Sequence, residues 1–304
     1  MKIQGLIAAP FTPMNEDDSL NIGLIPQYYK FLKKNNVVGA FINGSTGEGV
    51  SLTFEEKKQT AEAWANAAKN DADFKVITLV GGTCLAEAKE LAAHAQKSGL
   101  SGTSFTSPSY FKPINAAVLA ECCAEVAAAA PEIPFYYYHI PVLTGSTVMM
   151  IDLLREVDGN IPNFAGIKYT HEDFMDFLSC MNFADGKYDM LWGRDENMLS
   201  ALVLGAFGAV GSTYNYAAPL YHSLIEAFKN NDLQKANALQ QQSIDMIRLL
   251  GKYGGIATGK AFMKRVGLDC GKFRMPIRNV WEDQYETFHE DTVQVNFDEY
   301  KSLL

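Results

Sequence analysis

Between Gly5 and Lys229 the chain alternates short apolar runs with helical patterns, eight times over. The runs fall at 5–13, 39–43, 75–80, 102–107, 134–138, 164–168, 190–192 and from 208 onward. The helical patterns between them fall at about 22–34, 53–69, 85–98, 116–130, 147–157, 172–183, 197–204 and 217–229. The local signals agree with this division. Thr53 with Glu56 three residues later forms a capping box, Gly99 closes a helix, and Pro131 stops one. The runs show no clean alternation of polar and apolar residues, as expected of parallel strands covered on both faces. Eight strand–helix units in about 230 residues give the size and order of a (β/α)8 TIM barrel. A doubly wound open sheet competes, but no Gly-x-Gly-x-x-Gly follows the first strand. The sequence therefore predicts an α/β barrel over residues 1–230. The helical patterns at 233–250, 259–266 and 282–304 predict a C-terminal helical extension over 231–304. No flexible linker precedes it.

Composition narrows the function classes. The net charge is −9, which disfavours nucleic acid and anionic membrane surfaces as partners. The first residues carry no signal-peptide pattern and no run approaches a membrane span, so the expected compartment is the cytoplasm. Five cysteines without a Cys-x-x-Cys pair read as reduced thiols. The five histidines show no metal-ligand spacing. His171-Glu172-Asp173 reads as a turn opening a helix in preference to a metal site.

In a barrel, chemistry sits at the C-terminal ends of the strands. There this sequence is unusual. The sixth run, Phe164-Ala165-Gly166-Ile167-Lys168, ends on a lysine inside an apolar stretch. A buried lysine has a depressed pKa and supplies the neutral amine that attacks carbonyls, although an edge-strand lysine reaching for water fits the same letters. The second run leads into Gly44-Ser45-Thr46-Gly47-Glu48, a turn and cap or a nest of backbone donors for an anion. The fifth carries Tyr136, Tyr137 and Tyr138, of which alternation sends one or two inward. The seventh ends in Gly193-Arg194-Asp195-Glu196. Its carboxylates either complement a helix dipole or accept hydrogen bonds from a polyol. The eighth leads into Gly211-Ser212-Thr213-Tyr214-Asn215.

Taken together, Pro10-Phe11-Thr12-Pro13, Gly44-Ser45-Thr46-Gly47-Glu48, Tyr138-His139-Ile140-Pro141, Gly166-Ile167-Lys168-Tyr169-Thr170 and Gly211-Ser212-Thr213-Tyr214-Asn215 stand in the order and at the spacing of a known family. Over nearly its whole length the chain resembles the N-acetylneuraminate lyases, within the dihydrodipicolinate synthase superfamily of class I aldolases. The resemblance implies Lys168 as the Schiff-base lysine and Tyr138 as the catalytic phenol. It places Ser45 and Thr46 in the loop for the pyruvyl carboxylate, with Thr46 also relaying protons. Tyr110 matches the tyrosine that completes a hydroxyl chain, typically from across a subunit contact, and the resemblance implies a homotetramer. Thr170, Gly193, Asp195, Glu196 and Ser212 match positions around the hydroxylated tail of the sugar. No metal and no organic cofactor is implied.

Within the superfamily the synthases carry an arginine where this chain has Leu143, in Pro141-Val142-Leu143-Thr144-Gly145. A semialdehyde acid would find no cationic clamp there. His139 stands where many relatives have asparagine, a difference that touches local packing. The expectation is a class I aldolase that cleaves N-acetylneuraminate to N-acetylmannosamine and pyruvate. Two alternatives stay open. One is another pyruvate aldolase, acting on a 2-keto-3-deoxy sugar acid. The other is a catalytically silent barrel that senses a keto acid.

Overall fold

The protein is described by a computed structural model covering residues 2–280 and 282–304. Eight parallel strands close into a barrel in sequence order: β1 (Gly5–Ala8), β2 (Gly39–Ile42), β3 (Lys75–Leu79), β4 (Gly102–Thr106), β5 (Phe135–His139), β6 (Phe164–Tyr169), β7 (Asp189–Trp192) and β8 (Gly208–Gly211). Closure is made by β1 on β8, with Gly5 opposite Gly208 through Ala8 opposite Gly211. The helices around it are α1 (Ile25–Lys34), α2 (Phe54–Ala68), α3 (Leu85–Lys97), α4 (Ala116–Ala128), α5 (Pro141–Thr144), α6 (Met150–Val157), α7 (Phe174–Asn182), α8 (Met198–Val203) and α9 (Tyr214–Lys229). Then follow α10 (Leu233–Lys252), α11 (Thr258–Arg265), α12 (Tyr285–Gln294) and α13 (Phe297–Tyr300). This is the TIM barrel expected from the eightfold alternation, and helices continue to the C-terminus. No described helix is long and apolar enough to cross a membrane.

Side-chain parity explains how the core is divided. Inside the barrel Ile7, Phe41, Ile77, Tyr136, Tyr138, Leu191 and Val210 form one buried cluster. The intervening residues, including Tyr137, Ile167 and Tyr169, pack outward against the helices in a second, larger one. The strands thus bury both faces, which is why their sequences run apolar without alternation.

Several boundaries differ from those expected. β1 stops at Ala8, well short of Pro13. α6 begins at Met150, not Thr147. Its N-terminus is capped from the neighbouring helix, where the buried Asp176 carboxylate accepts from the Met150 and Ile151 amides at 3.0 Å each. Tyr169 donates to the same carboxylate at 3.0 Å. α9 begins at Tyr214, three residues early, and turns out of helical geometry at Ala217 before Pro219. The early start is held by Asn215. Its amide nitrogen donates to the Ala9 and Ser212 carbonyls at 2.7 Å, and its oxygen accepts from Tyr28 at 2.7 Å. One side chain therefore joins the ends of β1 and β8 to α1. The helix expected over 282–304 divides into α12 and α13 at Asn296, whose φ is 56°.

The capping box at α2 is formed on both sides. Thr53 accepts from the Glu56 amide at 3.2 Å, and Glu56 accepts from the Thr53 amide at 2.8 Å. Thr53→Ala is expected to cost about 1 kcal/mol, read as a lower urea midpoint at unchanged slope. An unchanged midpoint would show that the box contributes nothing.

Candidate active site

Lys168 is the fifth residue of β6, on the inward parity, in register with Tyr138 on β5 and Leu191 on β7. Its side chain is 4% exposed. The amine lies 3.9 Å from the ring centre of Phe41 and 4.0 Å from that of Tyr138. The two rings meet edge to face at 5.5 Å. Aromatic faces attract an ammonium but replace little of its hydration. Desolvation therefore wins. It lowers the Lys168 pKa to about 7, with the Asp195 carboxylate pulling back through space.

Tyr138 is equally enclosed. Burial raises its phenol to about 12, against the hydroxyls of Ser45 and Thr170, which favour the ionised form. The phenol thus carries its proton at neutral pH and stands within a small set of hydroxyls. Ser45 and Thr46 come from the turn after β2. There the Gly49 amide donates to the Gly44 carbonyl at 3.0 Å and Thr12 Oγ1 donates to the Gly47 carbonyl at 2.5 Å. Asn43 and Glu48 both take φ of 57°. Thr46 is buried and Ser45 half-buried.

Strands β6 to β8 complete the bowl. A methyl group on Gly193 would lie 1.9 Å from Thr170 Oγ1, and one on Gly211 would lie 1.9 Å from Asp195 Oδ1. Glycine at these positions lets Thr170 and Asp195 fold down against the strand ends. Asp195 is buried. Its Oδ2 accepts from the Thr213 amide at 3.0 Å and the Thr213 hydroxyl at 2.5 Å, while its buried Oδ1 has no hydrogen-bond partner among the described residues. Burial raises this carboxyl to about 6, opposed by the Thr213 hydroxyl. Glu196 is paired with Arg194 at 2.6 Å, and Arg194 also reaches Glu172 at 2.8 Å. Ser212 is half-buried, and its carbonyl accepts from Asn215.

The structure thus gathers Lys168, Tyr138, Ser45, Thr170 and Asp195. It does not bring Tyr110 to them. Tyr110 is 80% exposed on the loop after β4, packed edge to face on Phe111. His139 lies on the outward parity between Tyr137, Tyr169 and His171, and burial lowers its pKa to about 3. Asp173 accepts from the Met175 and Asp176 amides, so the His-Glu-Asp run opens α7 as a cap.

Two residues went unread in the sequence. Phe41, which walls the amine, was signalled by its inward parity three residues before the glycine-rich turn. Lys260, buried in α11 and paired with Glu48, was signalled as Lys168 was: a charge in an apolar run, Ala257 to Met263.

The family model for the dihydrodipicolinate synthetase family matches residues 2–295. The chain is 40% identical to the N-acetylneuraminate lyase of Rattus norvegicus, over 99% of this chain and 95% of that protein. It is 42% identical to that of Homo sapiens, over 91% and 88%. Among solved structures, the Proteus mirabilis N-acetylneuraminate lyase superposes with a TM-score of 0.94 at 39% identity, covering 98% of this chain and 100% of that one.

An amine with a pKa near 7 is a far better nucleophile at neutral pH than a surface lysine. Reductive methylation with formaldehyde and a mild borohydride, followed by peptide mapping, is expected to modify Lys168 with a midpoint near pH 7. A midpoint near 10, shared with surface lysines, would contradict the desolvated amine.

Proposed function

The chain belongs to the dihydrodipicolinate synthetase family, and from that premise we propose that it is a class I aldolase cleaving N-acetylneuraminate reversibly to N-acetylmannosamine and pyruvate. The observation that carries the reading is the Lys168 amine, desolvated between Phe41 and Tyr138. The relatives named N-acetylneuraminate lyase support the substrate. Leu143, 62% exposed, offers no cationic clamp for a second carboxylate, which speaks against a semialdehyde acid.

The chemistry follows from the groups present. Neutral Lys168 Nζ adds to the C2 ketone of the open-chain sugar acid; the carbinolamine takes one proton from the Tyr138 hydroxyl relay and loses water, leaving a protonated imine and the relay one proton short. The hydroxyls and backbone amides at Ser45 and Thr46 hold the adjacent carboxylate. The C4 hydroxyl passes its proton to the Tyr138 hydroxyl relay, the C3–C4 bond breaks, and its electron pair passes into the imine to form an enamine. C4 leaves as the aldehyde of N-acetylmannosamine. Protonation at C3 and hydrolysis release pyruvate and the free lysine. Tyr138 begins as a phenol, since burial holds its proton to about pH 12. It therefore passes a proton along the hydroxyls of Ser45, Thr46 and Thr170 and does not start as a phenolate. In this reading no metal or organic cofactor takes part.

The tail of the sugar falls to Gly193, Asp195, Glu196 and Ser212. The unpartnered Asp195 Oδ1 is a ready acceptor for a substrate hydroxyl. Residues 1–230 act as the catalytic barrel and 231–304 as a helical extension. Tyr110, exposed in one chain, completes the hydroxyl chain of a neighbouring subunit in a homotetramer. We place the enzyme in the cytoplasm.

Borohydride trapping with pyruvate is expected to add the mass of a reduced adduct to the peptide carrying Lys168, and Lys168→Ala to abolish it. An unmodified wild-type peptide would favour a silent keto-acid sensor. Asp195→Ala and Glu196→Ala are expected to lower kcat/KM on N-acetylneuraminate by about tenfold or more while leaving pyruvate trapping intact. Loss of trapping in either would remove it from the tail site. Pyruvate release from a 2-keto-3-deoxy sugar acid but not from N-acetylneuraminate would replace the substrate.

A further inference from the structure

The glutamate that ends the Ser45-Thr46 turn leaves the barrel mouth and enters the C-terminal extension. Its backbone is left-handed, with φ of 57°. Its side chain and that of Lys260 on α11 are each 2% exposed, and they pair at 2.8 Å. Each partner is further engaged. Glu48 Oε2 accepts from the Arg274 amide at 2.8 Å. Lys260 donates to the Lys272 carbonyl at 2.8 Å and lies 4.7 Å from the ring centre of Phe273. The Arg274 side chain then returns to the barrel. It donates to Ser51 and Asp18 carbonyls and takes both oxygens of Glu56, the residue of the α2 capping box. The turn is thus held at its exit by Glu48 and at the following helix by Arg274. Both holds come from a segment more than 200 residues away in sequence.

A buried ion pair is an inefficient way to gain stability. An apolar pair of equal volume is often as stable. What a fully hydrogen-bonded charge pair does supply is a fixed position for the backbone it is attached to. Here that backbone carries Ser45, whose hydroxyl favours the ionised form of the Tyr138 phenol beside the Lys168 amine. We propose that Glu48 and Lys260 form a latch by which the C-terminal extension sets the geometry of the carboxylate-binding turn, and that Lys260, which does not face the bowl, is a positioning residue for recognition of the keto-acid carboxylate. The proposal rests on the aldolase reading above, in which Ser45 and Thr46 hold that carboxylate.

Two measurements test it. The first compares borohydride trapping of pyruvate with that of its uncharged methyl ester, in wild type and in the Glu48→Gln, Lys260→Met double variant. The double variant avoids stranding one buried charge. The latch predicts that half-maximal trapping needs about tenfold more pyruvate, with the ester dependence unchanged. Equal change for both ligands, or for neither, overturns it. The second uses the unaltered protein and stands even where the variant does not fold. Pyruvate is expected to slow amide hydrogen exchange in residues 258–274 as well as in 44–49, because coupling between two sites is reciprocal. Protection confined to 44–49 overturns the latch. Wild type that traps no pyruvate on Lys168 would instead overturn the aldolase reading itself.

Discussion

The energetic centre of this protein is the removal of water from one amine. A lysine at the end of an inner strand would ordinarily keep its proton to about pH 10. Closure of eight strands into a barrel places Lys168 between two aromatic rings contributed by β2 and β5, with its stem among inward-facing apolar side chains. No single neighbour does this. It needs Phe41 and Tyr138 at one level of the barrel, and hence the register of several strands at once. The barrel closes with β1 on β8, where Asn215 ties both strand ends to α1.

The chain contains a second buried lysine, and the contrast between the two shows what placement decides. Burial pulls both pKa values down. At Lys260 a carboxylate at 2.8 Å and a carbonyl at 2.8 Å oppose that fall. At Lys168 the nearest aid is Asp195 acting through space, and the fall reaches about 7. One lysine is paired with a carboxylate. The other lies between two aromatic rings. Residue type is identical, and the difference lies in whether a counter-charge shares the pocket.

The fold was legible because its signal is repeated. Eight alternations leave few arrangements for a chain of this length, and errors of two or three residues at individual ends do not alter the count. The ends themselves were less legible where a distant residue decides them. α6 starts where the Asp176 carboxylate of the neighbouring helix caps it, and α9 starts where Asn215 finds three partners. Neither contact can be seen in a window of local sequence. Alternation sent one or two of the three tyrosines inward without fixing Tyr138, and the apolar run marked Lys168 without excluding an edge-strand lysine; the family resemblance supplied both roles. Phe41 was missed because a phenylalanine in a core strand carries no sign that its ring walls a reactive group. Lys260 was missed for a different reason. Its signal was present in an apolar helix, but it stood outside the eightfold pattern where chemistry was sought.

Asp195 shows how the two halves of the site are coupled through charge. It lies against Gly211 with one oxygen held by Thr213 and the other without a hydrogen-bond partner among the described residues, and burial raises its pKa to about 6 against the pull of the Thr213 and Tyr214 hydroxyls. A buried acceptor with no donor costs free energy that a substrate hydroxyl would recover. The same carboxylate favours the charged form of Lys168. A hydroxyl that hydrogen-bonds Asp195 favours its ionised form. An ionised Asp195 in turn favours the ammonium form of Lys168, so the state of the carboxyl and the state of the amine are linked through space.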